Sequence, residues 1–578
     1  MSRLVVLFLL ATVARADPAR QLDRLITEEF EESRARWPRS ATAAGDRRFD
    51  DKLADLGPEA RRVGLEHTRL RLAAVRKLDR AALTPAQRTN ADLLQYELER
   101  RLGAARVFPE QTPINQMWGP QRSLPQMASR ISFTKPKHFD DYVTRLEAIP
   151  RYIDQLIANM RAGLEAGRVP PRRVVEPAGR QARMQATEAS RKDPTLHATY
   201  PPFKKEQENS PVAQRARKVI ADRVVPAFAK LADFLEKEYV PRCRTSTAAK
   251  DGADGLAFYE WQLRDHTTLP LTADAIHETG RREVARIRGE MEALLRKHDL
   301  PHKNDFAKFI EFLRTDPRFY YTDSKDLLAG YRDICKRIDP HMPRLFGKLP
   351  RLSYGVREMP RFIAPASPTA YYYSGSLKNG VPGYFVANTF RLDQRPKYEM
   401  VALTLHEAVP GHHHQIALAQ EMEGVPEWRT TLSYTAFGEG WALYAERLGL
   451  EMKGLYATPY DHFGRLSYEM WRAMRLVVDT GLHAKDWTRQ QAVDFMLANS
   501  ALTKQNIEKE VDRYIAWPGQ ATAYKIGELL IRRLRAKAES ELGSKFDLRA
   551  FHDELLREGS IPLPLLEARM LAWIESRR

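Results

Sequence analysis

Apolar residues recur at three- and four-residue spacing along most of the chain, the period of a helix with one buried face. From Gln21 to about Gly103, LGPEARRVGLEHTRLRLAAVRKL and TPAQRTNADLLQYELERRL carry the pattern, and Thr84-Pro85 supplies a helix start. It returns over 139–165, over 212–239, and again after YVPRCRTSTAAKDGADG to about Lys297. The stretch from Gly167 to Pro211 interrupts it. GRVPPRRVVEPAGR and ATYPPFKKEQENSP are polar and rich in Pro and Arg, which reads as a long surface excursion and as the linker candidate. Strand-like runs are confined to 351–390, where AYYYSGS and GYFVANTF are separated by Pro and Gly. From Pro396 onward the chain is helical again, with Pro396 suited to a first helical turn. The pattern predicts a mainly α fold, a large multi-helix body with a small β-sheet beside a histidine-rich segment. It divides into an N-terminal helical region, 17–250, and a region at 251–578 that carries the chemistry, or forms one continuous domain.

The first sixteen residues, MSRLVVLFLLATVARA, set Arg3 before an apolar run from Leu4 to Val13 and end on Ala14-Arg15-Ala16. This is a secretory signal pattern with cleavage before Asp17, predicting an exported protein, periplasmic or secreted. A short membrane anchor is the alternative, but the run is well below the roughly 18 residues that span a bilayer. No cysteine follows the run, which argues against a lipoprotein anchor. Cys243 and Cys335 are the only cysteines. They allow one disulfide or two buried thiols, and neither sits at metal-ligand spacing.

With 578 residues, 43% hydrophobic and 29% charged, the composition is that of a globular protein rather than a disordered or fibrous one. Lys plus Arg exceed Asp plus Glu by 92 to 75, a net charge of +17. The excess is spread over many helical segments and interleaved with Glu and Asp, without a nucleic-acid motif. It reads as a solvated basic surface, and no nucleic-acid partner is expected.

The chemistry concentrates in LTLHEAVPGHHHQIALAQ, residues 403–420. A histidine at position 410 would complete the HExxH zinc helix, but that residue is Pro410. In an unbroken helix His412 would lie about 240° round and about 9 Å along from His406, too far to share an ion. Pro410 has no N–H for the His406 carbonyl and crowds it, while Gly411 accepts unusual backbone angles. The helix must bulge or kink there, and looping two residues out brings His412 to about the place of the second zinc histidine. His413 returns to the face of His406 but about 10.5 Å along, and is the weaker candidate. A surface histidine run with a solvated Glu407 is the bland alternative; the apolar lead-in, Met400, Val401, Leu403 and Leu405, directs the segment inward instead. Hydrolytic zinc sites take three protein ligands. The third candidate is Glu439 in TAFGEGWALYAERLG, where a Gly-Glu-Gly turn is expected to open an amphipathic helix. Its alternative role is to favour that helix's positive end. Glu446, seven positions on, is a fallback ligand or an outer partner to a zinc histidine.

HEAVPGHHHQ, FGEGWALYAE and YIAWPGQATAYKIG resemble the signature blocks of the bacterial family DUF885, whose members carry HExxPGHxxQ and EGWALY. The likeness extends to WPRSATAAGDRRFDD near the start and TADAIHETGRREVARI in the middle. That family is in turn similar to helical gluzincin peptidases. The resemblance implies a gluzincin-like cleft, one Zn2+ held by His406, His412 and Glu439, and Glu407 as general base. In PGQATAYKIG, Tyr524 is a candidate hydrogen-bond donor to a developing oxyanion, with a packed tyrosine as the alternative. Gln520, Lys525 and Arg513 are candidates for a substrate carboxylate, and Asn388, in GYFVANTF, for substrate binding. That strand, if a sheet edge, would hold a peptide backbone by strand addition. The leading reading is an exported zinc peptidase that hydrolyses short peptides through a water and a Glu base. Zinc hydrolysis of a non-peptide amide or ester, a two-His-one-carboxylate iron oxygenase, and a non-catalytic binding protein are the competing readings. N-terminal sequencing of the exported protein is expected to begin at Asp17; an intact Met1 on membrane-bound material would overturn the signal assignment.

Overall fold

Side chains spaced for helices do form helices along nearly the whole chain, and the protein is mainly α. The computed structural model describes residues 17–204, 207–361, 364–378 and 380–578, so the signal segment 1–16 lies outside the described residues. The helices that build the site are labelled in chain order: α1 Gly255–Thr267, α2 Ala273–Lys297, α3 Met400–Glu407, α4 His412–Gln420, α5 Thr435–Leu448, α6 Pro459–Ala484, α7 Lys504–Ala516 and α8 Ala523–Leu542. One core of buried apolar side chains runs from Leu22 to Ile574 and crosses residue 250, and Met359, Ala364 and Val386 form a second, small cluster at the sheet.

α6 is the axis of this core. Thr458 and Asp461 close a capping box at its start, with Pro459 in the first turn. Every residue from Phe463 to His483 is buried, so α6 is enclosed on all sides rather than amphipathic. α2 packs along it, and α3, α5, α7 and α8 also touch it. α5 and α8 cross closely at two glycines. A Cβ on Gly440 would fall 2.5 Å from the Gly527 Cα, and one on Gly527 would fall 1.9 Å from the Ala436 carbonyl oxygen. Only the absence of side chains at both positions permits this approach.

The sheet comprises β1 (Tyr354–Glu358), β2 (Ala370–Tyr373) and β3 (Gly383–Ala387), in the order β1-β3-β2. β3 runs parallel to β1 and antiparallel to β2, with Phe385 opposite both Val356 and Tyr372. GYFVANTF is therefore the central strand and not an edge, and strand addition to it is excluded. Its apolar residues Phe385, Val386 and Ala387 are fully buried, as suits a strand covered on both sides, while the half-buried tyrosines of β2 take an edge.

The stretch from Gly167 to Pro211 is not a linker. Val174, Val175, Ala178 and Ala182 give the helix Arg172–Met184 a buried face, and Tyr200 and Phe203 are fully buried. Their helical spacing is hidden among charged residues and prolines. Cys243 and Cys335 are separate buried thiols, each pushed up to about 12 by burial.

Gly527→Ala is expected to lower stability. Overpacking costs roughly 1–3 kcal/mol, and the ~1 kcal/mol of helix propensity gained with alanine offsets only part of it, because the obstructing atom is backbone. Denaturant unfolding measures this, and an unchanged midpoint would mean that α5 and α8 separate freely.

Candidate metal centre

The histidine segment folds around a break, not a bulge. α3, with every residue buried, ends at Glu407, and α4 begins at His412. Ala408 to Gly411 form a tight non-helical connection containing a cis Val409–Pro410 bond. Pro410 cannot donate to continue α3. At Gly411 a Cβ would lie 2.0 Å from the His406 carbonyl oxygen and 2.3 Å from that of Leu405, so glycine alone fits. The Trp441 indole of α5 donates to the Pro410 carbonyl at 2.8 Å and pins the connection to the next helix.

This break turns His412 back toward His406. Their ring centres are 4.8 Å apart with planes at 87°. His406 Nε2 and His412 Nε2 each lie 3.4 Å from the same oxygen, Glu439 Oε2. The three candidate ligand atoms are all within 4.8 Å of one another. Glu439 does not stand in an opening turn, as its two glycines suggest; it is the fifth residue of α5. The flanking Gly440 supplies the close approach to α8 instead. Glu439 Oε2 is buried and lacks a hydrogen bond of normal geometry. Burial alone would raise this carboxyl, but the nearby His412 and His406 imidazoles outweigh it and hold the group well below its usual range.

Behind the cluster, His406 Nδ1 donates to Glu446 Oε1 at 2.8 Å, and Arg472 Nη2 holds the same oxygen at 3.2 Å. Glu446 thus faces the nitrogen turned away from Glu439, the position of an outer partner rather than a ligand. Burial opposes protonation of His406, yet Glu439 and Glu446 together push it up to about 9. Glu407 is 8% exposed and has no hydrogen-bond or ion-pair partner among the described residues.

The neighbouring histidines play no part in the cluster. His413 Nε2 donates to the Leu352 carbonyl at 3.0 Å, and Nδ1 accepts from the Tyr372 hydroxyl at 2.9 Å. Both nitrogens are occupied, and burial pushes the ring down to about 4. His414 is fully buried, its ring centre 4.3 Å from that of Phe346.

Tyr524 lies in the first turn of α8, its ring nearly parallel to that of His406 at 17° with centres 6.5 Å apart. The Arg475 guanidinium sits over the Tyr524 ring, 4.3 Å from its centre. Burial, aided by the Glu439 charge, raises the phenol despite Arg475 and Arg513, so it stays protonated at neutral pH. Arg513 donates to Gln520 Oε1 at 2.6 Å and to Glu510 Oε2 at 3.0 Å, and Arg475 reaches the same Glu510 oxygen at 3.2 Å.

Two expected substrate-binding residues are engaged elsewhere. Lys525 has no exposed surface and lies 2.8 Å from Glu469, 2.9 Å from Glu528 and 3.1 Å from Glu283. One residue after Tyr524, it is turned about 100° round α8, away from the phenol's direction. Asn388 Nδ2 donates to the Ala364, Ser367 and Pro368 carbonyls while Oδ1 accepts from Phe390 N, so its amide braces a loop. Arg472 and Arg475 escaped the sequence reading. Their signal is present in SYEMWRAMRLVVDTGL, where arginines at helical spacing interrupt an otherwise apolar run.

A family model described as "Bacterial protein of unknown function (DUF885)" matches residues 38–570. The crystal structure of the "putative lipoprotein" from Colwellia psychrerythraea is similar, with a TM-score of 0.88 and 26% identity over 97% of this chain and 100% of that one. The structure of a "putative lipoprotein of unknown function" from Shewanella oneidensis has a TM-score of 0.76 and 19% identity over 96% of this chain and 100% of that one, a likeness of fold alone. No curated protein matches the chain.

His412→Ala is expected to lose bound metal while His413→Ala retains it. Elemental analysis of the purified variants tests this, and a metal-free His413→Ala protein would refute the ligand assignment.

Proposed function

The chain belongs to the DUF885 family, and from that premise we propose that it is an exported zinc-dependent peptidase hydrolysing short peptides. The observation that carries the reading is the convergence of His406, His412 and Glu439 on one point. Tetrahedral zinc with bonds of about 2.0–2.1 Å sets its ligand atoms about 3.3–3.4 Å apart. Both imidazole-to-carboxylate separations are 3.4 Å, the spacing such an ion asks of its ligands, and all three atoms lie within 4.8 Å of one another. The unbonded oxygen of Glu439 is likewise accounted for by a ligand bond. Zinc held there would serve as a Lewis acid toward a substrate carbonyl and water.

The remaining work falls to the chain's own groups. Glu446, itself held by Arg472, fixes His406 in the tautomer that presents Nε2. Glu407, adjacent to a ligand yet unpaired, takes the proton of the attacking water and returns it to the leaving amine. The Tyr524 phenol, kept protonated by its burial and by Glu439, donates to the oxygen that gains charge. The unpaired Glu407 also favours hydrolysis over an iron oxygenase, which has no use for a base at that position. Export is supported by the apolar run before Asp17, and among the described residues no helix is long and apolar enough to cross a membrane.

Incubation of the zinc-loaded protein with a random peptide mixture, read by mass spectrometry, tests the reaction class; an untouched mixture would refute it. On a cleaved peptide, Glu407→Gln is expected to keep zinc and lose about a hundred- to ten-thousand-fold in turnover. Tyr524→Phe is expected to lose roughly a hundredfold in kcat with little change in KM. Zinc lost with Glu407→Gln would make that residue a ligand, and unaltered turnover in Tyr524→Phe would reduce the tyrosine to packing.

A further inference from the structure

A cavity of about 400 Å³ lies between the N-terminal helical region, α1 and the end of α7. None of His406, His412, Glu439 or Tyr524 lines it. Its walls are aromatic: Trp118, Trp261, Trp517, Phe108 and Phe258 all contribute, and Trp118 meets Trp517 edge to face at 4.9 Å. The volume falls within the range of small-molecule sites, and such walls suit a flat or branched apolar body.

Two arginines line the same space, and their circumstances differ. Arg168 is neutralised, with its guanidinium 2.8 Å from Asp254 and stacked 4.0 Å from the Phe108 ring centre. Arg244 has no carboxylate within ion-pair distance among the described residues. Its Nε donates to the Val169 carbonyl at 3.1 Å, and Nη1 donates to the carbonyls of Ser246, at 2.7 Å, and Ala248. Nη2 has no partner among the described residues. The acid that acts on it, Asp251, is shared with Lys250 at 3.5 Å and with the Ser246 hydroxyl. Burial pushes the Arg244 guanidinium down to about 10, which Asp251 offsets only in part. A cation so placed is partly withdrawn from water without an anion beside it, and a carboxylate would supply charge-assisted hydrogen bonds.

We propose that this cavity binds a small monocarboxylate with an aromatic or branched apolar body, the carboxylate on Arg244 Nη2 and the body among the three indoles. A free amino acid is the wrong class, because its ammonium would need an acid and Asp254 is already paired with Arg168. The site stands apart from the metal cluster and does not depend on the peptidase reading.

The indoles report occupancy. Tryptophan fluorescence is followed while the protein is titrated with 4-phenylbutyrate, 4-phenylbutan-1-ol and 4-phenylbutylamine. The carboxylate is expected to quench saturably and to bind at least tenfold more tightly than the alcohol, with no saturation by the amine. R244Q is expected to reduce the carboxylate to the affinity of the alcohol. Arg244 also braces three carbonyls, so the comparison of the three probes on the unaltered protein decides the matter even where R244Q fails to fold. Equal binding of carboxylate and alcohol, or no saturable response to the carboxylate, would overturn the proposal. So would binding that survives R244Q and disappears in His412→Ala, which would place the carboxylate at the metal cluster.

Discussion

A helix buried on every side can carry charge only where each charge meets a partner, because an unpaired ion in the interior costs several kcal/mol. α6 obeys this at Arg465, Glu469, Arg472 and Arg475, and hydrogen-bonded Asp479 and His483 continue the row, all at three- and four-residue steps. Their partners come from different elements. Glu469 meets Lys525 of α8, Arg472 meets Glu446 of α5, and Arg475 meets Glu510 of α7. Asp479 accepts from the Tyr259 hydroxyl of α1 at 2.7 Å and from the Gly519 amide at 3.0 Å, and His483 Nε2 donates to the Tyr514 carbonyl. The row of polar groups therefore sets the register of the surrounding helices in a way that apolar contacts alone, being tolerant of sliding, do not. Arg472 passes that register to His406 through Glu446, and Asp479 holds the turn that leads into Gln520 and Tyr524.

The cluster of His406, His412 and Glu439 adds two local devices to this frame. Pro410 and Gly411 end one helix and start another so that two imidazoles six residues apart face each other. Gly440 and Gly527 let α5 and α8 approach until Glu439 and Tyr524 share one neighbourhood. Neither device works without the other: the break orients the nitrogens, and the glycine contact brings the carboxylate and phenol to them.

What was legible in the sequence follows the range of the forces involved. Helical periodicity is local and was read correctly over most of the chain, and so was the incompatibility of Pro410 with a continuous helix. The Gly-Glu-Gly run misled because two glycines cost a helix about 1 kcal/mol each, a penalty that tertiary packing of α5 on α8 overrides. Whether β3 is an edge stays open in the sequence, because a short apolar run shows neither its neighbours nor its order in a sheet. Lys525 was offered to substrate because a lysine's type does not reveal that Glu283 and Glu469, distant in sequence, surround it. Glu446 was legible as a fallback ligand or an outer partner, and its place on His406 Nδ1, the nitrogen turned away from Glu439, could not be read without the packing of α3 on α5. Part of the arginine excess is spent inside the protein, as at Arg465, Arg472 and Arg475.

The enclosure of Lys525 bears on how this sequence can drift. Lys525, Arg286 and Arg465 stand against Glu283, Glu469 and Glu528, three cations facing three carboxylates, with Arg532 at the rim. Deleting one member strands its neighbours' charge in the interior, typically at about 3–5 kcal/mol, whereas exchanging the whole group for apolar side chains of matching volume is often tolerated. The intermediates between those two solutions are the unstable ones. These positions are thus epistatically locked, and descendants of this sequence keep the set or replace it together, so that scoring each position independently misjudges every single substitution within it.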